Sequence, residues 1–309
     1  MLNYPLNLLK YIYGNNEKGI KDTPDTGGTP VSVVQNSKGH LFLLYTANRW
    51  EIQVFDQTGR FLFRFGERGD KDWQFSDYAG GLDINSKDEV LVADVKKRKI
   101  IVFNKDGDYL RSFSSIKGLI PENPKKNVYP SHIAVGPEDR IYISDGRNGH
   151  VWIFDPKGIF LKDLGGSELG LFPSAGHIRF DSKKRIYVLE GIPNRIQICS
   201  QEGNLVMQIG ETGNRAGQFL RISGLALDSS DRIYATDLVQ SVIQIFDTNG
   251  NLIGVVKEYI SPEGETRKFA SPSVIFIGRN DMIYVIEQSK HRLVVLKPLP
   301  KTTMGEDKR

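Results

Sequence analysis

Six copies of one sequence pattern, each with four strand-length segments, predict an all-β protein folded as a six-bladed β-propeller of four-stranded antiparallel blades. One position, at the end of a β-branched segment, falls at residues 45, 94, 145, 190, 237 and 287, so the steps are 49, 51, 45, 47 and 50 residues. Steps of this size match the length of a propeller blade. Glycine supplies 31 of the 309 residues and is spread along the chain, which indicates regular turns.

The first segment of each copy is a short apolar run behind small residues, such as PVSVV, GGLDI or SGLAL. A turn rich in Asp, Ser, Lys and Gly leads to the second segment, which reads IYIS, IYVL or IYAT. The third segment reads IQVF or a close variant, and a DxxG-type turn precedes the fourth, which reads FLFRFG or LVMQIG. Each segment has strand length, β-branched or aromatic residues and flanking turn residues, so we expect four antiparallel strands per copy.

The two ends of the chain complete each other. The sixth copy stops after RLVVLK without a fourth strand, whereas the chain opens with LNLLKYIYG, Leu6–Gly14, which matches a fourth strand without the preceding three. A closed ring of blades leaves no long exposed sheet edge. We therefore expect Leu6–Gly14 to be the outer strand of the sixth blade, residues 1–309 to form one propeller domain, and residues 299–309 to be a polar tail.

The segment Gly210–Gly254 reads GETGNRAGQFLRISGLALDSSDRIYATDLVQSVIQIFDTNGNLIG and resembles an NHL repeat. Its glycine-rich beginning recurs as GERGDKDWQF at Gly66–Phe75. The resemblance covers residues 6–298 and implies the six-bladed propeller fold. It leaves function open, because the family includes protein scaffolds, RNA binders, sensor domains of receptor kinases and a metal-dependent lyase.

Composition excludes several classes of protein. The 41 basic and 37 acidic residues leave a net charge of +4, which is too small for an obligate nucleic-acid binder. The single cysteine, Cys199, excludes an internal disulfide framework, and it replaces an apolar packing residue, so we expect an inert buried thiol. No apolar run reaches the ~18 residues of a membrane span, and the first residues lack a signal-peptide pattern. The chain is then cytosolic or a mature exported form, and the resemblance favours the extracytoplasmic form.

Propeller geometry brings the end of each second strand and the start of each first strand to one face, around the axis. The strand ends place a ring of carboxylates there, namely Asp94, Asp145, Glu190, Asp237 and Glu287. The strand starts, aligned by the apolar run that follows, are Val31, Gly81, His132, His177, Gly224 and Ser273. The two histidines thus fall at equivalent positions of neighbouring blades, and with the carboxylates they form a candidate axis pocket.

Two interpretations of this pocket follow. Two imidazoles and a carboxylate such as Asp145 or Glu190 offer the ligands that zinc or iron accepts, so a divalent metal is one candidate cofactor. We favour the structural alternative, in which each carboxylate accepts N–H groups of the adjoining loop and the histidines only line the pocket. The lyase relatives that the resemblance implies need three zinc-binding histidines with a catalytic arginine and tyrosine. A third histidine is missing here, so we expect no cofactor.

Lys96, Lys97, Arg98 and Lys99 form a basic run in the loop after Asp94. The run is either a patch for RNA phosphates or an acidic protein, or a solvated loop, and the small net charge favours the solvated loop. Two connections are unusually long, at residues 114–128 and 257–270, and we expect both to overhang the face that carries the ring.

The intact repeats without a complete catalytic set favour a non-enzymatic scaffold that presents its loop-rich face to a protein or peptide partner. The alternative is a metal-dependent hydrolase or lyase with His132 and His177 at the axis. RNA binding through Lys96–Lys99 comes third. The oligomeric state stays open.

Overall fold

The strands follow the repeat along the chain in the computed structural model, which describes residues 6–12, 28–46, 49–114, 129–165 and 172–297. Strand β1 spans Leu6–Ile12. Blade 1 consists of β2 (Pro30–Gln35), β3 (Leu41–Tyr45), β4 (Glu51–Phe55) and β5 (Phe61–Phe65). Blade 2 consists of β6 (Ala79–Ile84), β7 (Val90–Asp94), β8 (Lys99–Phe103) and β9 (Tyr109–Ser114). Blade 3 consists of β10 (His132–Val135), β11 (Ile141–Asp145), β12 (His150–Phe154) and β13 (Phe160–Leu164). Blade 4 consists of β14 (Ala175–Phe180), β15 (Ile186–Glu190), β16 (Arg195–Cys199) and β17 (Leu205–Ile209). Blade 5 consists of β18 (Ile222–Leu227), β19 (Ile233–Asp237), β20 (Val242–Phe246) and β21 (Leu252–Val256).

The four strands of each of these five blades pair antiparallel in chain order, which confirms the predicted propeller blades. The second and third strands, such as β3 and β4, are buried along their whole length because both faces of the sheet contact neighbouring blades. The fourth strands lie at the outer rim and are less buried than the second and third, with β17 the most exposed and β5 and β13 mostly half-buried. Helical structure in the described segments consists of the 3-10 turns Pro137–Asp139, Arg279–Asp281 and Gln288–Lys290, and none of them could span a membrane.

Six hydrophobic clusters fill the spaces between neighbouring blades. The cluster between the sixth and first blades joins Val33 and Leu43 to Ile286 and Leu293, so the ring is packed shut at this seam. Cys199 is fully buried in the cluster between blades 3 and 4, and burial raises the pKa of its thiol to about 11. The expected packing role of this cysteine is confirmed.

The sixth sheet has six strands. It contains β22 (Glu258–Ile260), β23 (Thr266–Lys268), β24 (Pro272–Ile277), β25 (Ile283–Glu287) and β26 (Arg292–Leu296), in the order β23-β22-β1-β26-β25-β24. Strand β1 pairs antiparallel with β26 and parallel with β22, so the N-terminal strand occupies the fourth position of this blade. The expectation that residues 257–270 overhang the carboxylate face is wrong, because they form the β22–β23 hairpin at the outer edge. The other long connection lies outside the described residues beyond Ser114, as do Tyr13 and Gly14.

A repeated clasp joins neighbouring blades at the end opposite the carboxylates. A serine in the turn after an inner strand donates its N–H to an aspartate of the next blade, in the pairs Ser37–Asp88 (2.8 Å), Ser86–Asp139 (2.9 Å), Ser182–Asp231 (2.9 Å) and Ser229–Asp281 (2.8 Å). Lys184 takes the aspartate's place in blade 4, where its Nζ lies 3.8 Å from a carboxylate oxygen of Glu138. The seam between blades 3 and 4 is therefore joined by an ion pair instead of the clasp.

Candidate functional site

The candidate site lies on the face where the second strands end, which we call the loop face. Strand β6 begins and β7 ends at this face, because Ala79 pairs with Asp94, and the other blades repeat this register. Gly224 lies at the same edge of blade 5, where a Cβ atom would come within 2.8 Å of a backbone nitrogen of the next inner strand. Glycine is needed there because two inner strands approach closely near the axis.

The five predicted carboxylates at this face are fully buried and anchor the loops. Asp94 accepts hydrogen bonds from the backbone N–H groups of Ser76 (2.7 Å) and Lys97 (2.8 Å), which lie in the loops before β6 and after β7. Asp237 holds the N–H of Leu220 in the same way (2.7 Å). Asp94 and Asp237 thus tie the loop that enters the blade to the loop that leaves its second strand.

The other three carboxylates also have donors. Asp145 accepts the backbone N–H of Tyr129 (3.1 Å), Glu190 accepts Nε–H of Arg195 (2.5 Å), and Glu287 accepts the N–H of Ala270 (2.9 Å) and Nε–H of Arg292 (2.6 Å). None of the five lines the pocket on this face. Asp94, Asp145, Asp237 and Glu287 thus accept loop N–H groups, as in the structural alternative that the sequence favoured, whereas Glu190 binds side chains of its own blade.

A pocket of about 990 Å³ opens on the loop face across blades 2 to 5. Its walls consist of Tyr78, Val95, Lys96, Arg98, Tyr129, Ser131, His132, Gly146, Arg147, Ser174, Ala175, Gly176, Leu189, Gly191 and Arg221. Four of these residues are cations and none is an acid. Arg147 and Arg221 form no ion pair with any residue that the structure describes. The pocket wall therefore presents at least two guanidinium groups that can pair with an anionic ligand.

Tyr129 holds two of the cations against one aromatic ring. The guanidinium carbon of Arg147 lies 4.5 Å from the ring centre, and that of Arg98 lies 5.0 Å from it. The backbone N–H of Tyr129 is bound in turn to the buried carboxylate of Asp145. A cation–π contact orients a guanidinium group without neutralising it, so both arginines keep their positive charge on the pocket wall.

The predicted basic run is divided by the fold. Lys96 Nζ pairs with a carboxylate oxygen of Asp77 (2.9 Å), Lys97 Nζ donates to the carbonyls of Lys71 (2.9 Å) and Gln74 (2.8 Å), and Lys99 Nζ donates to the carbonyl of Asp72 (2.5 Å). Of the run, Lys96 and Arg98 line the pocket. The interpretation as one continuous patch is corrected, because Lys97 and Lys99 stabilise the loop between blades 1 and 2.

His132 and His177 meet at the inner edges of blades 3 and 4, with ring centres 4.3 Å apart. His132 pairs with Ser144, and His177 precedes Ile178, which pairs with Val188, so the two histidines hold equivalent positions in neighbouring blades as predicted. The same registers place Ser32 and Val274 at this position in blades 1 and 6. The alignment on Val31 and Ser273 is wrong because the apolar run begins one residue earlier in those blades.

Both imidazoles are held neutral. Burial lowers the pKa of His132 to about 4, and the charge of Arg179 lowers it further. Burial, together with His132 and Arg179, brings the pKa of His177 well below its usual value. His132 is partly exposed at the pocket wall, yet its Nδ1 atom is buried without a hydrogen-bond partner among the described residues. An anion in the pocket would favour protonation of this ring.

Four large apolar side chains stand exposed on the loop face. They are Tyr78 (62%), Ile192 (73%), Leu220 (43%) and Val239 (57%). Ile192 follows the pocket residue Gly191, and Leu220 precedes the pocket residue Arg221. Val239 follows Leu238, whose N–H donates to the carbonyl of Arg221 (2.9 Å). Exposed apolar side chains thus occur in the loops that adjoin the pocket residues of blades 4 and 5, together with the cation Arg221, and exposed apolar groups beside a pocket are typical of interaction surfaces.

Comparison with known families follows the architecture. An NHL repeat is matched at residues 128–154, and a family described as 6-bladed beta-propeller is matched at residues 167–257. Both matches lie within the observed blades. The chain is an NHL-repeat six-bladed β-propeller.

The NHL propeller is 26% identical to Protein brain tumor of Drosophila melanogaster over 149 residues, which are 48% of this chain and 14% of that relative. Among solved structures, it matches a catalytically inactive virginiamycin B lyase from Staphylococcus aureus with quinupristin at a TM-score of 0.62 and 14% identity, covering 90% of this chain and 97% of that one. A gluconolactonase from Xanthomonas campestris matches at a TM-score of 0.64 and 13% identity, over 89% and 88% of the two chains. At these identities the solved structures show the fold alone.

The axis of the NHL propeller does not fit the zinc site that the resemblance implies. Among the residues described, no group of three or more His, Cys, Asp or Glu side chains could hold a metal ion. The positive charge of Arg179 acts on both His132 and His177 and opposes a bound cation, and the buried carboxyl of Asp83 interacts with the same guanidinium and offsets part of that charge. His150 binds the carboxylate of Asp163 (2.9 Å) in blade 3. The two axis histidines are left as pocket-wall and packing residues.

Sequence reasoning missed Tyr129 and Arg147 of blade 3 and Arg221 of blade 5. A usable signal existed, because the second residue after each acidic strand end projects at the loop face. Read around the ring, this position holds Lys96, Arg147, Ile192, Val239 and Ser289 in blades 2 to 6. Two neighbouring blades thus contribute cations, and the next two contribute apolar side chains.

Proposed function

We propose that this NHL propeller is a binding module that holds a protein or peptide partner on its loop face, with acidic groups of the partner in the pocket. The observation that carries the proposal is the composition of the pocket wall, which has four cations and no acid. A partner segment that brings carboxylates can pair with Arg147 and Arg221, which make no ion pair with a described residue.

The neighbouring surface supports a macromolecular partner over a small anion. Ile192, Leu220 and Val239 expose apolar area beside the pocket, and Tyr78 does so on the opposite side. A small anion would leave these side chains in water, whereas a polypeptide segment lying across the pocket would cover them. Burial of apolar area and charge complementarity are the two components of a protein interface that this face offers.

Fluorescence anisotropy tests the proposal with two short labelled peptides that differ only in the exchange of Glu for Lys. The Glu peptide should bind saturably and lose affinity as salt rises, and the Lys peptide should not bind. Arg147→Ala should weaken the Glu peptide about tenfold, which corresponds to about 1.4 kcal/mol. Lys183→Ala makes the same charge change in an exposed turn at the opposite end of blade 4 and is the matched control.

Equal affinities of Arg147→Ala and Lys183→Ala for the Glu peptide would contradict the proposal. RNA is the competing ligand, because Tyr129 and the cations also suit stacked bases and phosphates. A single-stranded RNA that binds more tightly than the Glu peptide and shows the same dependence on Arg147 would replace the peptide with RNA as the partner. An extracytoplasmic location is a separate proposal, and cell fractionation of the native source tests it.

A further inference from the structure

The loop face is divided into a cationic half and an apolar half, and this division identifies the partner more closely. Blades 2 and 3 contribute Lys96, Arg98 and Arg147 to the pocket. Blades 4 and 5 contribute Ile192 and Val239 at the positions equivalent to Lys96 and Arg147. The residue at this position of the repeat thus changes from a cation in blades 2 and 3 to an apolar residue in blades 4 and 5.

The cationic half is preorganised. Tyr129 orients Arg98 and Arg147 at 5.0 and 4.5 Å from its ring centre, and the Tyr129 backbone is fixed by Asp145. Side chains that are oriented before binding lose less conformational entropy when a carboxylate arrives. Guanidinium groups also offer paired N–H donors that match the two oxygens of a carboxylate. A side-chain carboxylate on the partner is therefore the group that this half accepts.

The apolar half has the features of a shallow contact site. Ile192 is 73% exposed, Val239 is 57% exposed and Leu220 is 43% exposed. Between this rim and the pocket floor the wall is formed by Ala175, Gly176, Leu189 and Gly191, which carry no charged side chain. Arg221 is the exception on this side, and it makes no ion pair with a described residue. A bulky apolar side chain of a partner would be covered here.

Resting on the proposed function, we propose that the partner is a polypeptide segment that carries an acidic side chain and a large apolar side chain in fixed order. The acidic side chain lies against Arg98, Tyr129 and Arg147, and the apolar side chain lies against Ile192 and Val239. The two halves act as separate subsites, so the segment binds in one orientation across the pocket.

Four short labelled peptides of equal length test this inference with the unaltered protein. The first contains two Glu residues followed by Leu and Phe, the second replaces Glu by Gln, the third replaces Leu and Phe by Ser, and the fourth carries both changes. The first peptide should bind most tightly, and each single change should weaken it about tenfold. The fourth should show no measurable binding.

Protein variants then assign each half of the peptide to its subsite. Arg147→Ala should abolish the effect of the Glu-to-Gln change and leave the Leu/Phe-to-Ser effect intact. The double variant Ile192→Ser/Val239→Ser should do the reverse. Ile159→Ser alters an equally exposed side chain (62%) in a turn at the opposite end of blade 3 and should change neither effect.

The outcomes separate this inference from the proposed function. If no peptide binds, the proposed function itself fails. If the first and third peptides bind equally and the Ile192→Ser/Val239→Ser variant keeps full affinity, the apolar subsite is refuted and the cationic pocket remains as the binding site for the acidic side chain. If Arg147→Ala abolishes the effect of the Leu/Phe-to-Ser change and Ile192→Ser/Val239→Ser abolishes the effect of the Glu-to-Gln change, the proposed orientation is refuted. Melting curves that match the unaltered protein show that the variants fold, and the peptide series gives its answer without any variant.

Discussion

Replacement of Asp237 by alanine should destabilise the propeller, because this fully buried carboxylate ties two loops of blade 5 together. It accepts backbone N–H groups from Leu220 (2.7 Å), Val239 (3.0 Å) and Gln240 (2.8 Å). A hydrogen bond to a charged acceptor contributes about 1.5 to 3 kcal/mol, and neutral bonds contribute about 1 kcal/mol. Water can replace part of this set in a surface loop, so we expect a loss of about 3 to 4 kcal/mol in the free energy of unfolding.

Urea titration and thermal melting measure this loss. A change of 3 kcal/mol lowers the melting temperature of a protein of this size by about 5 °C. Asp106→Ala is the control, because Asp106 is 62% exposed and pairs with Lys105 at the surface, where an ion pair contributes little. If Asp237→Ala and Asp106→Ala have the same stability, the carboxylate ring does not anchor the loops and the structural reasoning is wrong.

Three further predictions concern the ends of the chain, the axis and the cofactor. Deleting residues 1–14 should lower the melting temperature sharply and open blade 6 to proteolysis, because β26 and β22 both lose their pairing with β1. Deleting residues 302–309 should have little effect. Equal effects of the two deletions would contradict the closure argument. Lowering the pH from 6.5 to 4 should reduce the free energy of unfolding by about 1 to 2 kcal/mol through His132, whose folded-state pKa of about 4 lies below the unfolded value, so that the unfolded chain binds more protons in this pH range. His132→Gln should flatten this part of the pH profile of stability measured by urea titration. An unchanged slope would contradict the neutral histidine pair. Elemental analysis of protein purified without chelator should find less than one metal ion per chain, and the metal content should be the same in His132→Ala/His177→Ala. One ion per chain in the unaltered protein that is lost in this variant would support the metal hypothesis instead.

The repeat made the fold predictable, because blade length, strand number and turn residues are local properties that recur six times. The β22–β23 hairpin was missed for the same reason. It belongs to no repeat, and its strands of three residues, EYI and TRK, are too short for a periodicity argument. Its buried Tyr259, whose hydroxyl accepts a hydrogen bond from Arg292 (2.8 Å), gains meaning only when the distant strand β26 lies beside it.

The candidate site was predictable only in part. The repeated acidic residue at the end of each second strand identified the carboxylates. Backbone N–H groups could be expected as their partners because a loop begins directly after each of these residues. The cationic pocket could not be derived, since Arg98, Arg147 and Arg221 belong to three blades and meet only in the folded ring. The basic run misled because adjacent side chains point to different places: Lys97 and Lys99 reach backbone carbonyls of the preceding loop.

Charge reversal in the pocket tests the central claim most directly. Arg98→Glu/Arg147→Glu places two carboxylates where the structure has two guanidinium groups beside Tyr129. If charge complementarity at this wall selects the partner, the variant should lose the Glu peptide and bind the matched Lys peptide, while the unaltered protein shows the opposite preference. A folded variant that still prefers the Glu peptide would contradict the account, because binding would then depend on another surface.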